Sequence, residues 1–296
     1  MKDFLENQNI KINKRIEVEK IIDSFFEKFP EIAKKLIQTN QNLSNEEKKS
    51  FSENPDDPSQ HELRWHQWGI ITHTKMTEKA YKEQVPMYLE NWKLKEKVTQ
   101  YMSEQIDGVS KDQLLSIAIL FHDLGKFAVR ETKEGGTFSF KKHEIASGKI
   151  IRTQKFSKMI KQEYRLTDTQ IEYIARCAEL HYELGIMRDE AKKTEAGYTL
   201  SFIESNAYKN CIKNIMEANK GFELEIGLLY LADFLGKTDD IQIDDSIDNK
   251  LIRKTLEQKG INPKFFTAIK QLPISKEAVK TYLQIWAETK YSKKDI

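Results

Sequence analysis

An adjacent histidine and aspartate, His122-Asp123, stand at the end of the apolar run Leu114–Leu120, within Phe121-His122-Asp123-Leu124-Gly125-Lys126. Burying an imidazole and a carboxylate together is costly unless a partner satisfies both. One divalent metal ion accepts a nitrogen and a hard oxygen at once. The remaining histidines point the same way. The chain holds six, namely His61, His66, His73, His122, His143 and His181, all between residues 61 and 181. A carboxylate, Asp233, follows in a later apolar stretch. The order His73, His122-Asp123, His143, His181, Asp233 reads as a metal site assembled from several helices.

Spacing puts these residues on inward faces. His73 lies three positions after Ile70, three before Met76 and seven before Ala80, so all four share one side of a helix. His181 continues the row Ile171, Ile174, Ala178, and Asp233 continues Ile226, Leu229. A lone carboxylate on an inward face is normally neutralised or excluded, and coordination resolves that conflict. His143 and His181 read as ligands or as donors to phosphate oxygens. His61 reads as a hydrogen-bonded or exposed residue of the Ser59–Arg64 loop. His66 reads as a loop residue, a support for a ligand or a substrate contact. Lys126 reads either as a surface lysine after a glycine helix cap or as an ammonium that a turn at Gly125 aims at an anionic oxygen.

The elements that must position these residues are mostly helical. Val18, Ile21, Ile22, Phe25, Phe26 and Phe29 form an apolar stripe, and Pro30 is suited to open a second helix at its first position. The polar stretch Asn40–Gln60, with Pro55-Asp56-Asp57-Pro58, reads as a loop. Helices follow over about 67–83, 87–104, 111–124, 142–162, 167–184, 201–219, 222–237 and 263–290, the last broken near Pro273. Phe127–Thr132 and Thr137–Phe140 flank Lys133-Glu134-Gly135-Gly136 and read as a β-hairpin bearing Arg130. The acidic patch Asp239, Asp240, Asp244, Asp245 and Asp248 reads as a solvated loop near a helix end. The expected organisation is an N-terminal helical arm over 1–60, a main helical domain over 61–240 and a helical extension over 241–296.

Composition bounds the function. With 296 residues, 32% of them charged, and a mean hydropathy of -0.64, the chain can bury a large core beneath a heavily solvated exterior. A formal charge of +2 argues against a dedicated nucleic-acid coat while leaving room for a local basic rim around a phosphate. The two cysteines, Cys177 and Cys211, fall in helical patterns and fit a reduced compartment. Met1–Lys14 has no apolar core of a leader and no run approaches membrane-spanning length, so the expected location is the cytoplasm.

The ordered set His73, His122-Asp123, His143, His181, Asp233 resembles the HD superfamily of metal-dependent phosphohydrolases over roughly residues 60–240. Phe121–Lys126, the hairpin with Gly135-Gly136, Phe140 and His143-Glu144 resemble the HD domain of bacterial tRNA nucleotidyltransferases and poly(A)-polymerase-like proteins. Trp68-Gly69-Ile70-Ile71-Thr72-His73-Thr74 resembles the opening helix of those domains. The nucleotidyltransferase head, a Gly-Ser segment followed by an Asp-x-Asp pair, is missing from the first hundred residues. Tyr182 follows His181 where some members carry a second histidine.

The resemblance implies an all-α HD-domain bundle with a small hairpin after the His-Asp motif. It implies hydrolysis of a nucleotide or related phosphate ester with one or two divalent ions (Mg, Mn, Ni, Co or Fe). His73, His122, Asp123 and Asp233 match the first-metal ligands. His143 and His181 match the pair that admits a second ion, with Asp123 as bridge. Asp123 and Lys126 then take the catalytic positions, and Lys126, Arg130 and His66 become the substrate contacts. The expected partner is a small phosphorylated molecule, with no membrane involved. Two other functions share the ligand set: a di-iron oxygenase and a nucleotide-binding regulatory module with little turnover.

Overall fold

The computed structural model describes residues 2–194, 197–237 and 249–291. In chain order the elements are α1 (Lys2–Thr39), α2 (Asn45–Glu53), α3 (Ile70–Glu83), α4 (Val85–Asn91), α5 (Lys95–Met102), β1 (Gln105–Ile106), β2 (Val109–Ser110), α6 (Lys111–Phe121) and α7 (Leu124–Val129). They continue with β3 (Glu131–Thr132), β4 (Phe138–Ser139), α8 (His143–Arg152), α9 (Gln154–Tyr164), α10 (Asp168–Leu180), α11 (Ile186–Ala191), α12 (Leu200–Glu204), α13 (Asn206–Ala218), α14 (Glu223–Leu235), α15 (Asn249–Gln258) and α16 (Phe266–Tyr291). Apart from two small two-stranded sheets the regular elements among the described residues are helices, so the fold is the all-α bundle that the pattern implies.

Several local expectations are corrected. Pro30 does not start a new helix: α1 runs through it. Phe25, Phe29, Ala33 and Ile37 repeat every four residues on both sides of Pro30 and are wholly buried, so packing outweighs one missing backbone donor. Pro273 likewise sits inside α16 without breaking it. The stretch read as a loop at Asn40–Gln60 contains α2. Its start is a capping box in which the Ser44 side chain accepts from the Glu47 backbone and the Glu47 carboxylate accepts from the Ser44 backbone. The hairpin after the His-Asp pair is shorter than its sequence suggests, because 127–129 stay helical in α7 and Arg130 caps that helix. A second hairpin, β1–β2, turns through Asp107-Gly108 with φ of 49° and 81°. The acidic patch at 239–248 lies outside the described residues.

The chain forms two compact units, each built from separate stretches of sequence. The first comprises Met1–Pro55, Thr99–Glu131 and Phe140–Glu179. At its centre lies α6, in which every residue from Leu114 to Phe121 is buried. A helix buried on all sides needs neighbours all round, and α1 supplies one. Phe25 meets Phe121 edge-on at 5.0 Å between ring centroids, and Phe29 meets Phe127 at 5.9 Å. From α2, Phe51 stacks on Phe127 at 5.7 Å. The Asn40 side chain, at the end of α1, donates to the Phe127 and Arg130 carbonyls at 3.1 and 3.0 Å, capping the last turn of α7.

The second unit comprises Asp56–Val98, Thr132–Ser139 and Leu180–Ile296. Its central helix, α14, is buried from Leu224 to Leu235 and packs on α3 and α16. Gly236 makes the α14–α3 approach possible: a Cβ there would lie 2.5 Å from the Thr77 hydroxyl and 2.6 Å from its Cα. The start of α3 is fixed by Asp56, whose carboxylate accepts from the Thr72 backbone and hydroxyl at 2.8 and 2.6 Å. Near the C-terminal end, Ile252, Leu256, Ile261, Phe265, Ala268 and Ile269 form a cluster against which Trp65 packs.

Candidate metal centre

In the first unit, His122 follows α6 directly and Asp123 precedes α7. Lys142, in the left-handed region at φ 62°, turns the chain so that His143 opens α8. The two imidazoles are fixed in the same way. His122 Nδ1 lies 2.6 Å from the Ile119 carbonyl, and His143 Nδ1 lies 2.8 Å from the Phe140 carbonyl. A carbonyl only accepts, so Nδ1 carries the proton and the lone pair of a neutral ring sits on Nε2. Both Nε2 atoms face Asp123, His122 at 3.3 Å from Oδ2 and His143 at 3.4 Å from Oδ1. The Lys126 ammonium reaches Asp123 Oδ2 at 2.7 Å.

Electrostatics follow from that arrangement. Burial opposes ionisation of Asp123, but His122, Lys126 and His143 outweigh it and hold the carboxyl well below its ordinary value. Burial drives the His143 imidazole down to about 4, with Asp123 opposing and Lys126 assisting. His143 is therefore neutral, and able to ligate, through the physiological range.

Gly125 holds the two ligand-bearing segments together. It lies inside α7 and is not the helix-ending turn that its place before Lys126 suggests. A Cβ here would collide with the His143 carbonyl oxygen and lie 2.8 Å from the Ser147 nitrogen. The Ser147 hydroxyl accepts from Gly125 N at 2.8 Å and sits 2.6 and 2.9 Å from the His122 and His143 carbonyls. One glycine and one serine thus set the spacing of His122, Asp123 and His143.

The second unit repeats the scheme. His73, fully buried on α3, has Nδ1 3.2 Å from the Gly236 carbonyl and Nε2 2.8 Å from Asp233 Oδ1. Lys237 reaches Asp233 Oδ2 at 2.9 Å. In both units an imidazole is anchored on a backbone carbonyl and faces a carboxylate that a lysine grips from its other oxygen. Lys237 was not singled out by the sequence, although its place four residues after Asp233 on a helix marks it.

The remaining candidates also have clear places. His181 directly follows α10 and is buried. His66 and His61, read as loop residues, are both buried. Their rings stack at 3.9 Å and 18°, His66 meets His73 edge-on at 4.6 Å, and His61 Nδ1 lies 2.9 Å from the Trp68 carbonyl. Arg130 does not project from the hairpin. Its guanidinium lies over the Phe51 ring at 4.2 Å and is buried against α2, which lowers its pKa to about 10 despite Glu47.

These donors suit a hard or borderline divalent cation. With Nδ1 committed to a carbonyl, a neutral His73 places a lone pair 2.8 Å from a carboxylate oxygen. Two acceptors facing each other need a proton or a cation between them, and imidazole nitrogen with carboxylate oxygen is a donor set for first-row divalent metals. None of the curated proteins compared with the chain matches it. Residues 94–233, which contain His122, Asp123, His143, His181 and Asp233 but not His73, match the family described as HD domain, and this match supports membership of the HD superfamily.

Proposed function

We propose that the protein is a metal-dependent phosphohydrolase acting on a nucleotide or related phosphate ester, as phosphatase, nucleotidase or phosphodiesterase. The proposed ligands are His73, His122, Asp123, His143, His181 and Asp233. The reading rests above all on one observation: His73, His122 and His143 each spend Nδ1 on a backbone carbonyl and turn Nε2 to an aspartate. Backbone anchoring of one ring nitrogen is how proteins orient a histidine that ligates through the other. The HD-domain match adds a family whose members are commonly hydrolytic, and the likeness of Phe121–Lys126 to tRNA nucleotidyltransferase HD domains favours a nucleotide substrate.

Divalent ions bound to such ligands lower the pKa of coordinated water and polarise a phosphoryl oxygen. The chain's own residues prepare for that chemistry. Lys126 helps keep Asp123 ionised, and so able to hold a metal ion. Lys237 makes the equivalent contact with Asp233. Each ammonium also places positive charge beside its carboxylate, where a phosphoryl group gathers negative charge in the transition state.

The test is a metal-by-substrate screen over mononucleotides, cyclic nucleotides and model phosphodiesters. Phosphate release that needs Mg, Mn, Ni, Co or Fe, and that disappears on chelation and in Asp123→Ala, is the expected result. Oxygen consumption by the iron-loaded protein without phosphate release would overturn the proposal in favour of a di-iron oxygenase.

A further inference from the structure

One buried cation of the second unit stands outside the metal chemistry. Arg188, on α11, is 9% exposed. Its Nη2 donates to the Tyr230 hydroxyl at 3.0 Å, and its guanidinium carbon lies 4.9 Å from the centre of the Trp65 ring. Its Nε is buried and makes no hydrogen bond among the described residues. Arg152 shows the usual arrangement by contrast. It meets Glu172 in a bidentate fork, Nε and Nη2 both at 2.7 Å, and also bonds Glu179. Among the described residues, the partners of Arg188 are a phenol and an indole face, and one donor of the fork is left over.

Burying a guanidinium without an anion costs several kcal/mol, and a phenol offsets only part of it. The surroundings add positive charge. Burial opposes ionisation of Tyr230, yet Arg188 and Lys237 together bring its pKa below the ordinary phenol value. The Tyr230 hydroxyl accepts from the guanidinium and keeps its own proton to donate. Trp65, whose ring lies against the guanidinium, is itself only partly buried. A guanidinium fork with a spare N–H and an adjacent hydroxyl is a donor set for a tetrahedral oxyanion.

We propose that Arg188, with the hydroxyl of Tyr230, binds a phosphate group. Tyr230 precedes Asp233 by three residues on α14, about 4.5 Å along the helix axis. Resting on the phosphohydrolase reading, this places a second phosphate position beside the reacting one and selects substrates with two anionic groups, such as nucleoside diphosphates or bisphosphates. The same donors accept free inorganic phosphate, and the two sources are separable.

The experiment titrates inorganic phosphate into the chelator-treated full-length protein by calorimetry. Saturable binding is expected in the wild type, weakened at least about tenfold in Arg188→Gln and about five- to tenfold in Tyr230→Phe, as befits hydrogen bonds to a charged group. Lys192→Gln removes one charge from an exposed neighbouring position and should leave the affinity unchanged. Absence of phosphate binding in the wild type, unaltered affinity in Arg188→Gln, or equal weakening in Lys192→Gln overturns the proposal. If Arg188→Gln fails to fold, unaltered affinity in Tyr230→Phe overturns it. In the active protein, Arg188→Gln should lower kcat/KM for a nucleoside diphosphate more than for the monophosphate, and equal losses overturn the substrate assignment in favour of free phosphate. Phosphate binding without hydrolysis of any ester overturns the phosphohydrolase reading and leaves the anion site standing.

Discussion

Acid should weaken the metal-free protein through His143, and the size of the effect follows from its surroundings. Burial moves this imidazole from 6.5 to about 4 in the folded state. Between those values the unfolded chain binds the proton and the folded chain does not, so stability falls as the pH falls through that window. Each unit of difference is worth about 1.4 kcal/mol, and lowering the pH from 7 to 4.5 traverses most of the window, for a loss of roughly 2 to 3 kcal/mol. Against a total of about 5–15 kcal/mol this is a large fraction. Asp123 does not confuse the measurement. Its folded pKa is depressed, so its contribution is present above 3.8 and is lost only as the pH falls through the lower folded value. The assay is urea unfolding followed by far-UV circular dichroism in chelator, at pH 7 and 4.5, for the wild type and His143→Gln. The wild type should lose roughly 2 to 3 kcal/mol more than the variant. Equal losses in the two proteins would refute the argument, and an imidazole resonance of His143 titrating near 6.5 in the folded protein would show why.

Gly125→Ala should destabilise by about 1–3 kcal/mol, because the added methyl meets the His143 carbonyl, and should lower the melting temperature by several degrees; a midpoint within about a degree of wild type would show that α8 can move aside without cost. Elemental analysis after reconstitution should approach two metal equivalents per chain and fall towards one in the His143/His181 double alanine variant, whereas a wild-type value of one under saturating metal would assign both residues to phosphate contacts. Lys126→Ala should keep its metal stoichiometry but lose turnover roughly 10- to 1000-fold, the range for lost transition-state charge contacts; rates within twofold of wild type would show that the ammonium matters only to the resting carboxylate.

The all-α architecture was legible because buried apolar runs such as Leu114–Phe121 and Leu224–Leu235 are written plainly in the chain. The histidines and aspartates were legible as chemistry because so few residue types tolerate such inward positions. What escaped was what only three-dimensional packing decides. A proline looks like a helix start until Phe25, Phe29, Ala33 and Ile37 are seen packed on both sides of Pro30. Gly125 looks like a turn until α8 is found against it. Arg130 looks like a phosphate contact until Phe51 is found beneath its guanidinium. Other misses left a signal in the sequence. Ser44-x-x-Glu47 announces α2, Asp107-Gly108 announces a tight hairpin, and Lys237 stands at helical spacing from Asp233.

The pairing of Phe25 and Phe29 with Phe121 and Phe127, and the Asn40 clamp on the end of α7, bear on how this protein can be dissected. The segment that matches a known family begins at residue 94, yet the rings that close the hydrophobic centre beneath His122 and Asp123 come from residues 25, 29 and 51. An excised fragment starting near 94 would uncover Phe121 and Phe127 and leave the Phe127 and Arg130 carbonyls without their amide donor. Losing the partners of a buried phenylalanine costs on the order of 3–5 kcal/mol each, comparable to the stability of a whole domain. The recognisable sequence module and the cooperative folding module therefore differ, and a graft meant to carry this chemistry to another scaffold must carry the N-terminal helices with it.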